Sequence, residues 1–255
     1  MVKPLFVQLW TLRNEMKENF ESTISQVSKI GFAGVEPIGL SYLTHDQQSQ
    51  SYVKNNLKVL SFHCSGKDLI GDKISELIAA AKSYGAKYIV AGSSANSKTD
   101  FTTIENIKAI AESYNRAGDI AASHGLKVGH HNHDWEMQIV DGKPAIEHFL
   151  SFINNNVIVE LDAYWAKAGG ADPVEILKNF GKKIPLVHIK DGPVKRGEMM
   201  LPFGRGVLDI PGIVAAAKDA EALYVELDDV KVVTHMEAVK ESYDYMINKK
   251  LAAGK

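Results

Sequence analysis

The chain has 255 residues, long enough for one large α/β barrel or two small domains, and its charges nearly cancel, with Lys+Arg 29 against Asp+Glu 31. That balance argues against a general affinity for nucleic acid or anionic membrane. A single cysteine, Cys64, excludes an internal disulfide framework and suits a reducing compartment.

The opening "MVKPLFVQLW" enters an apolar strand at once, with no signal pattern, and no apolar run approaches the length of a membrane span. The expected compartment is the cytoplasm, with the periplasm as the alternative if a signal has been removed. Apolar runs at 5–10, 33–38, 57–63, 86–92, 126–132, 156–162, 185–191 and 223–229 read as strands. Segments with apolar positions three or four apart lie between them and read as helices. "ENFESTISQVSKIG" stops at Gly31, "DKISELIAAAKSYG" at Gly85 and "ENIKAIAESYNRAGDIAASHG" at Gly125, a residue suited to ending a helix. "THMEAVKESYDYMINKK" reads as the closing helix. Eight strand-then-helix units without a linker or composition break predict a single-domain (β/α)8 barrel over residues 1–255. A doubly wound open sheet is the runner-up, but "WTLRNEM" stands where its glycine fingerprint belongs.

Catalytic groups of such barrels come from the C-terminal ends of the strands. Those ends carry Trp10 and Arg13, Glu36, His63, Ser93, His131 and His133, Asp162, His188 and Lys190, and Glu226. Each follows a run expected to be buried, where a charge is costly unless paired, hydrated or metal-bound. Imidazole and carboxylate on successive strands suit Zn, Mn, Co or Fe. His131 and His133 share one face of an extended strand and can converge; solvated loop histidines are the plainer alternative. Glu160 and Asp228 share the strand parity of these candidates and compete with them. The three tryptophans, Trp10, Trp135 and Trp165, all follow strands and are expected to line a pocket that stacks a sugar-like ring. His45, His124, His148 and His235 are expected at the surface. Cys64 has no base and orienting acid placed around it and is set aside as a nucleophile. "FGRGVLDIPG" suggests a phosphate cradle at a helix start, but it lacks a Walker pattern and reads better as a turn or lid beside the site.

From "GFAGVEPIG" through "HHNHDWE", "LDAYW" and "LVHIKD" to "FGRGVLDIPGIV" and "YVELD", the chain resembles the xylose-isomerase-like TIM-barrel superfamily, labelled sugar phosphate isomerase/epimerase. The resemblance implies one divalent ion (Mn, Zn, Co or Mg) held by Asp162, His188 and Glu226. His131 takes the place of the usual glutamate on the fifth strand. It implies a metal-stabilised enediolate formed by proton transfer next to a carbonyl. Glu226 is then one acid/base, and His133, Glu136 or Lys190 the other. Glu36 resembles a substrate-contacting glutamate of the second strand, and His63 stands where the superfamily often keeps a histidine; with Trp10, Trp135 and Trp165 they form the expected substrate-binding set. The ligand is expected to be a small-molecule sugar or keto-sugar, with neither nucleic acid nor membrane as partner; a homo-oligomer is compatible with the sequence.

Three rival functions bear on this reading. A three-zinc DNA repair endonuclease of the same superfamily needs histidines where Trp165 and Met200 stand, and a basic groove. A keto-sugar or 3-keto-glycoside lyase or hydratase uses the same chemistry, and loss of the fifth-strand glutamate favours it. A non-catalytic sugar-binding barrel is disfavoured by the retained Asp162, His188 and Glu226. The expectation is a metal-dependent sugar isomerase or epimerase, with the lyase as alternative.

Overall fold

The computed structural model describes residues 2–40, 42–93 and 97–255. Its strands, in chain order, are β1 (Lys3–Gln8), β2 (Gly34–Glu36), β3 (Lys58–Val59), β4 (Ser61–Ser65), β5 (Tyr88–Ser93), β6 (Lys127–His131), β7 (Ile139–Val140), β8 (Lys143–Pro144), β9 (Val157–Asp162), β10 (Leu186–Ile189), β11 (Ala222–Val225) and β12 (Ala252–Ala253). All but the β7–β8 hairpin belong to one parallel sheet, ordered β3-β2-β1-β11-β10-β9-β6-β5-β4 with β12 beside β1. The end members β3 and β4 are two halves of one barrel strand, interrupted at Leu60. The Leu60 carbonyl accepts from Lys87 and Tyr88 on the β5 side, while His63 N reaches back to Pro37 O at 2.9 Å. These bonds bring the two ends of the sheet together, and the chain forms the expected nearly closed (β/α)8 barrel.

Strand alternation sorts the side chains into two cores. Phe6, Tyr88, Val90, Ile158, Leu186, Ala222 and Tyr224 plug the barrel interior. The opposite faces pack against the surrounding helices in a separate, larger cluster that includes Val7, Ile89, Val128, Val159 and Val187. Parallel strands covered by helices bury both faces, which is why their sequences are apolar with little polar interruption until their C-terminal ends. Gly34 is required by this plug: a Cβ there would run into the Phe6 ring and the Lys58 carbonyl.

The helices follow the sequence pattern closely. Arg13–Ile30, Ile74–Tyr84 and Ile104–Ala122 are the first three anticipated, and Gly31 and Gly85 cap two of them with φ of 117° and 67°. Thr234 and Glu237 form a capping box at the start of His235–Asn248. No helix among the described residues is long and apolar enough to cross a membrane.

Candidate active site

Above the apolar plug the barrel interior turns polar. Ser61 donates to Glu36 and lies 2.8 Å from the Tyr224 hydroxyl. Gln8 Oε1 accepts from Trp10 N at 2.5 Å, so its amide Nε2 is the donor to His63 Nδ1 at 3.1 Å. His63 must then carry its proton on Nε2, which donates to Glu160 Oε2 at 2.6 Å. The same oxygen accepts from His131 Nδ1 at 3.0 Å. Neutral His131 is left with its lone pair on Nε2, 3.7 Å from Asp162 Oδ2. His188 places Nε2 at 3.0 Å from Glu36 Oε2 and 3.2 Å from Glu160 Oε2, with Nδ1 2.8 Å from Glu226 Oε2. Burial raises Glu36, and Glu160 beside it adds to that; burial also pushes Glu160 up, but His188 and His63 more than offset it and hold Glu160 ionised.

One level higher, the Lys190 ammonium is 1% exposed and surrounded by carboxylates. Its Nζ is 2.8 Å from both oxygens of Asp228, 2.9 Å from Glu226 Oε2 and 3.0 Å from Asp162 Oδ2. Burial alone would discharge it; Asp162, Asp228 and Glu226 more than offset this and keep it protonated. Burial raises Glu226, but Lys190 and His188 hold it well below the usual range. Burial pushes Asp162 up to about 6. His131 and His133 are neutral at physiological pH, lowered by burial to about 3 and about 2. The His133 ring stacks on Trp135 with centroids 4.3 Å apart, and its buried Nδ1 has no hydrogen-bond partner among the described residues.

Two clusters bring possible ligand atoms within 4.8 Å of one another: His63, His131, Glu160 and His188 below, and His131, Asp162 and Glu226 above. The lower cluster is poorly suited to a metal, since His63 Nε2 and His131 Nδ1 already donate protons to Glu160. The upper one fits a borderline divalent ion: an imidazole lone pair, an ionised Glu226, and Asp162 Oδ2, whose one close partner among the described residues besides His131 is the Lys190 ammonium at 3.0 Å. A metal there competes with the Lys190 ammonium, which can fall back on Asp228 through its two hydrogen bonds. His188 stands beside this group, its Nδ1 engaged with Glu226.

A cavity of about 710 Å³ opens over these groups, with Trp10, His63, His131, His133, Lys190 and Glu226 in its wall. Asp162, His188 and Glu36 are fully buried behind these wall residues and are not themselves part of the lining. Trp10 is 45% exposed with the Arg13 guanidinium 4.6 Å from its ring centroid. Trp165 donates to Asp228 Oδ2 at 3.1 Å, so it and Trp135 support cavity residues from behind. Glu136 is not brought to the cavity. Past His131 the chain turns into a short 3-10 helix, Trp135–Met137, which carries the carboxylate back to His130 Nε2 at 3.1 Å and His133 N at 2.9 Å. His130 itself packs with Phe101, Tyr114 and Phe149 in the outer layer. Of the four histidines expected at the surface, His45 and His124 are exposed, whereas His148 and His235 are half-buried; His148 contacts Val140 O at 2.8 Å, and His235 lies between Glu15 and Asp229.

Sequence reasoning missed Gln8, whose amide sets the His63 tautomer, and Asp191. The Asp191 carboxylate accepts backbone N–H bonds from Gly192, Gly204, Gly206 and Leu208 at 2.8 to 3.2 Å. The glycine-rich stretch is therefore an anchored loop already filled by a protein anion. Arg205 turns away to Glu241 at 2.7 Å.

The fold and this ring of strand-end groups define a TIM-barrel enzyme superfamily. The chain belongs to the xylose isomerase-like TIM barrel family, whose model matches residues 24–249. An inosose dehydratase of Clostridium perfringens is 28% identical over 134 residues, 49% of this chain and 44% of the relative, so that match spans less than half of the relative's length. One of Clostridium beijerinckii is 25% identical over 249 residues, 84% of this chain and 79% of its own. A sugar phosphate isomerase/epimerase of Parabacteroides distasonis shares the fold with a TM-score of 0.83 at 22% identity, covering 99% of this chain and 96% of that one. The zinc-binding protein IolI does so with a TM-score of 0.70 at 19% identity, covering 96% and 97%.

Proposed function

We propose that this protein removes the proton next to the carbonyl of a keto-sugar or keto-cyclitol and then expels the oxygen substituent on the following carbon. The observation that carries the reading is Lys190, a buried and charged proton donor lining the same cavity as the neutral imidazole of His133, whose Nδ1 has no hydrogen-bond partner among the described residues. His133 Nδ1 would accept the proton as the C–H bond breaks; burial weakens it as a base, so the step depends on polarisation of the neighbouring carbonyl to acidify that C–H. The electron pair forms the new C=C bond, the C–O bond breaks, and Lys190 Nζ gives a proton to the departing oxygen. Asp162, Glu226 and Asp228 hold Lys190 in the charged form that this step requires. A divalent ion held by His131, Asp162 and Glu226, with His188 alongside, would polarise the substrate carbonyl. The inosose dehydratase relatives and the zinc in IolI support this reading.

A second reading, isomerisation or epimerisation, draws on Glu226, which is ionised and lines the cavity. It would return the proton to a neighbouring carbon or to the opposite face. Incubation with keto-sugars and inososes in D2O, followed by NMR and mass measurement, separates the two. Loss of water or alcohol with a new alkene supports elimination; an isomer of unchanged skeleton, carrying deuterium, overturns it in favour of the second reading.

A further inference from the structure

The cavity is larger than a sugar ring requires and does not stay inside the barrel. A hexose displaces roughly six waters, or about 180 Å³ at about 30 Å³ each, against the 710 Å³ present. The wall includes side chains from both faces of β4. His63 points into the barrel, whereas Phe62 and Cys64 alternate outward, and both kinds line the same space. It continues past Ile38 to Leu77 and Tyr84 of the helix Ile74–Tyr84, where the Phe62 and Tyr84 rings lie 5.4 Å apart. The space thus has a polar chamber over His131, Lys190 and Glu226, and an arm between β4 and the helical layer where Ile38, Phe62, Leu77 and Tyr84 form an apolar wall edged by His45, Asp68, Lys73 and Glu76.

The charges at the arm are wrong for a phosphate. Among the described residues lining it, Asp68 and Glu76 face one lysine, Lys73, whose Nζ is already 3.2 Å from Asp68 Oδ1, and the His45 ring packed 5.4 Å from Tyr84. The glycine-rich loop offers no receiver either, because Asp191 takes its backbone donors.

We infer that the substrate has two parts: a keto-sugar ring in the polar chamber and an uncharged apolar substituent, of the size of an aromatic ring, in the arm beside β4. This rests on the proposed reaction for the sugar half alone. The phosphate ester of the same sugar is excluded as the preferred ligand.

Fluorescence titration with non-reacting glucosides tests the arm apart from the chemistry. Along methyl, butyl and phenyl β-glucoside, affinity is expected to rise by about tenfold or more, as burial of a phenyl ring allows, and glucose 6-phosphate is expected to bind more weakly than glucose. Leu77→Trp, which fills the arm, and Leu77→Ser, which strips its apolar wall, should each shrink the phenyl-to-methyl ratio, with folding checked by circular dichroism. No gain from phenyl, or tighter binding of the phosphate, overturns the inference. Deuterium exchange into keto-sugars is the separate readout: a phenyl preference without exchange sinks the reaction and leaves the arm, whereas exchange without the preference does the reverse.

Discussion

His131 is held to Glu160 through Nδ1 at 3.0 Å, and that single bond decides which of its nitrogens faces the cavity base. Glu160→Gln would put an amide where two imidazoles donate, freeing the tautomers of His63 and His131. Nitrogen-15 NMR of histidine-labelled protein should show Nδ1–H on His131 in the wild type and a mixture in the variant. Zinc affinity should fall by about 10–100-fold, the usual effect of losing such an outer partner. Unchanged tautomers would remove Glu160 from this role.

Metal binding should follow pH. Burial holds the Asp162 carboxyl at about 6, and a ligand must be deprotonated to bind. Calorimetric affinity for Zn or Mn is therefore expected to drop as pH falls through 6. Asp162→Ala should weaken binding at every pH and flatten that profile. A pH-independent affinity in the wild type would place the ion elsewhere.

Lys190→Met leaves the buried Asp162 and Glu226, and the partly exposed Asp228, without their cation. Removing one partner of a buried charge pair costs roughly 3–5 kcal/mol, and a large fall in Tm is expected in chelator. Added Zn should restore more Tm in the variant than it adds to the wild type, since an ion can take the ammonium's place. Turnover should fall by about a hundredfold or more if Lys190 is the proton donor. An active Lys190→Met protein would assign that proton to another group.

Asp191→Ala removes the acceptor of four backbone donors. Each bond to an ionised group contributes about 1.5–3 kcal/mol, so limited proteolysis should cut between residues 192 and 208 far faster than in the wild type. Equal cleavage rates would show that the loop is held by other contacts.

Burial pushes the Cys64 thiol well above its ordinary range. Iodoacetamide at pH 8 is expected to label the folded chain many times more slowly than the urea-unfolded chain. Rapid labelling of the native protein would reopen Cys64 as a reactive group.

The barrel was legible because each unit repeats the same physics: an apolar run, a polar end, then a helix stopped by glycine, as at Gly31 and Gly85. The interruption at Leu60 was not, since 57–63 reads as one unbroken strand. The convergence of His63, His131, His133, Lys190 and Glu226 on one cavity followed from strand parity. Glu136, offered as an acid/base by the resemblance, was misplaced, because past His131 the chain leaves the extended state and turns its carboxylate to His130. The competition between Lys190 and a metal could not be read from "HIKD", because it depends on how three other strand ends lean together. Asp191 left no sequence signal beyond the glycines it serves.

The break at Leu60 gives the barrel a seam, with β3 zipped to β2 and β4 to β5. The arm of the cavity opens on the β4 side of that seam, against the helix that follows. A molecule lodged there would touch Ile38, just past β2, as well as Phe62 and Cys64 of β4, and so would brace the joint from both sides. Occupancy and barrel closure would then be coupled, the best-fitting ligand also making the cylinder hardest to unzip.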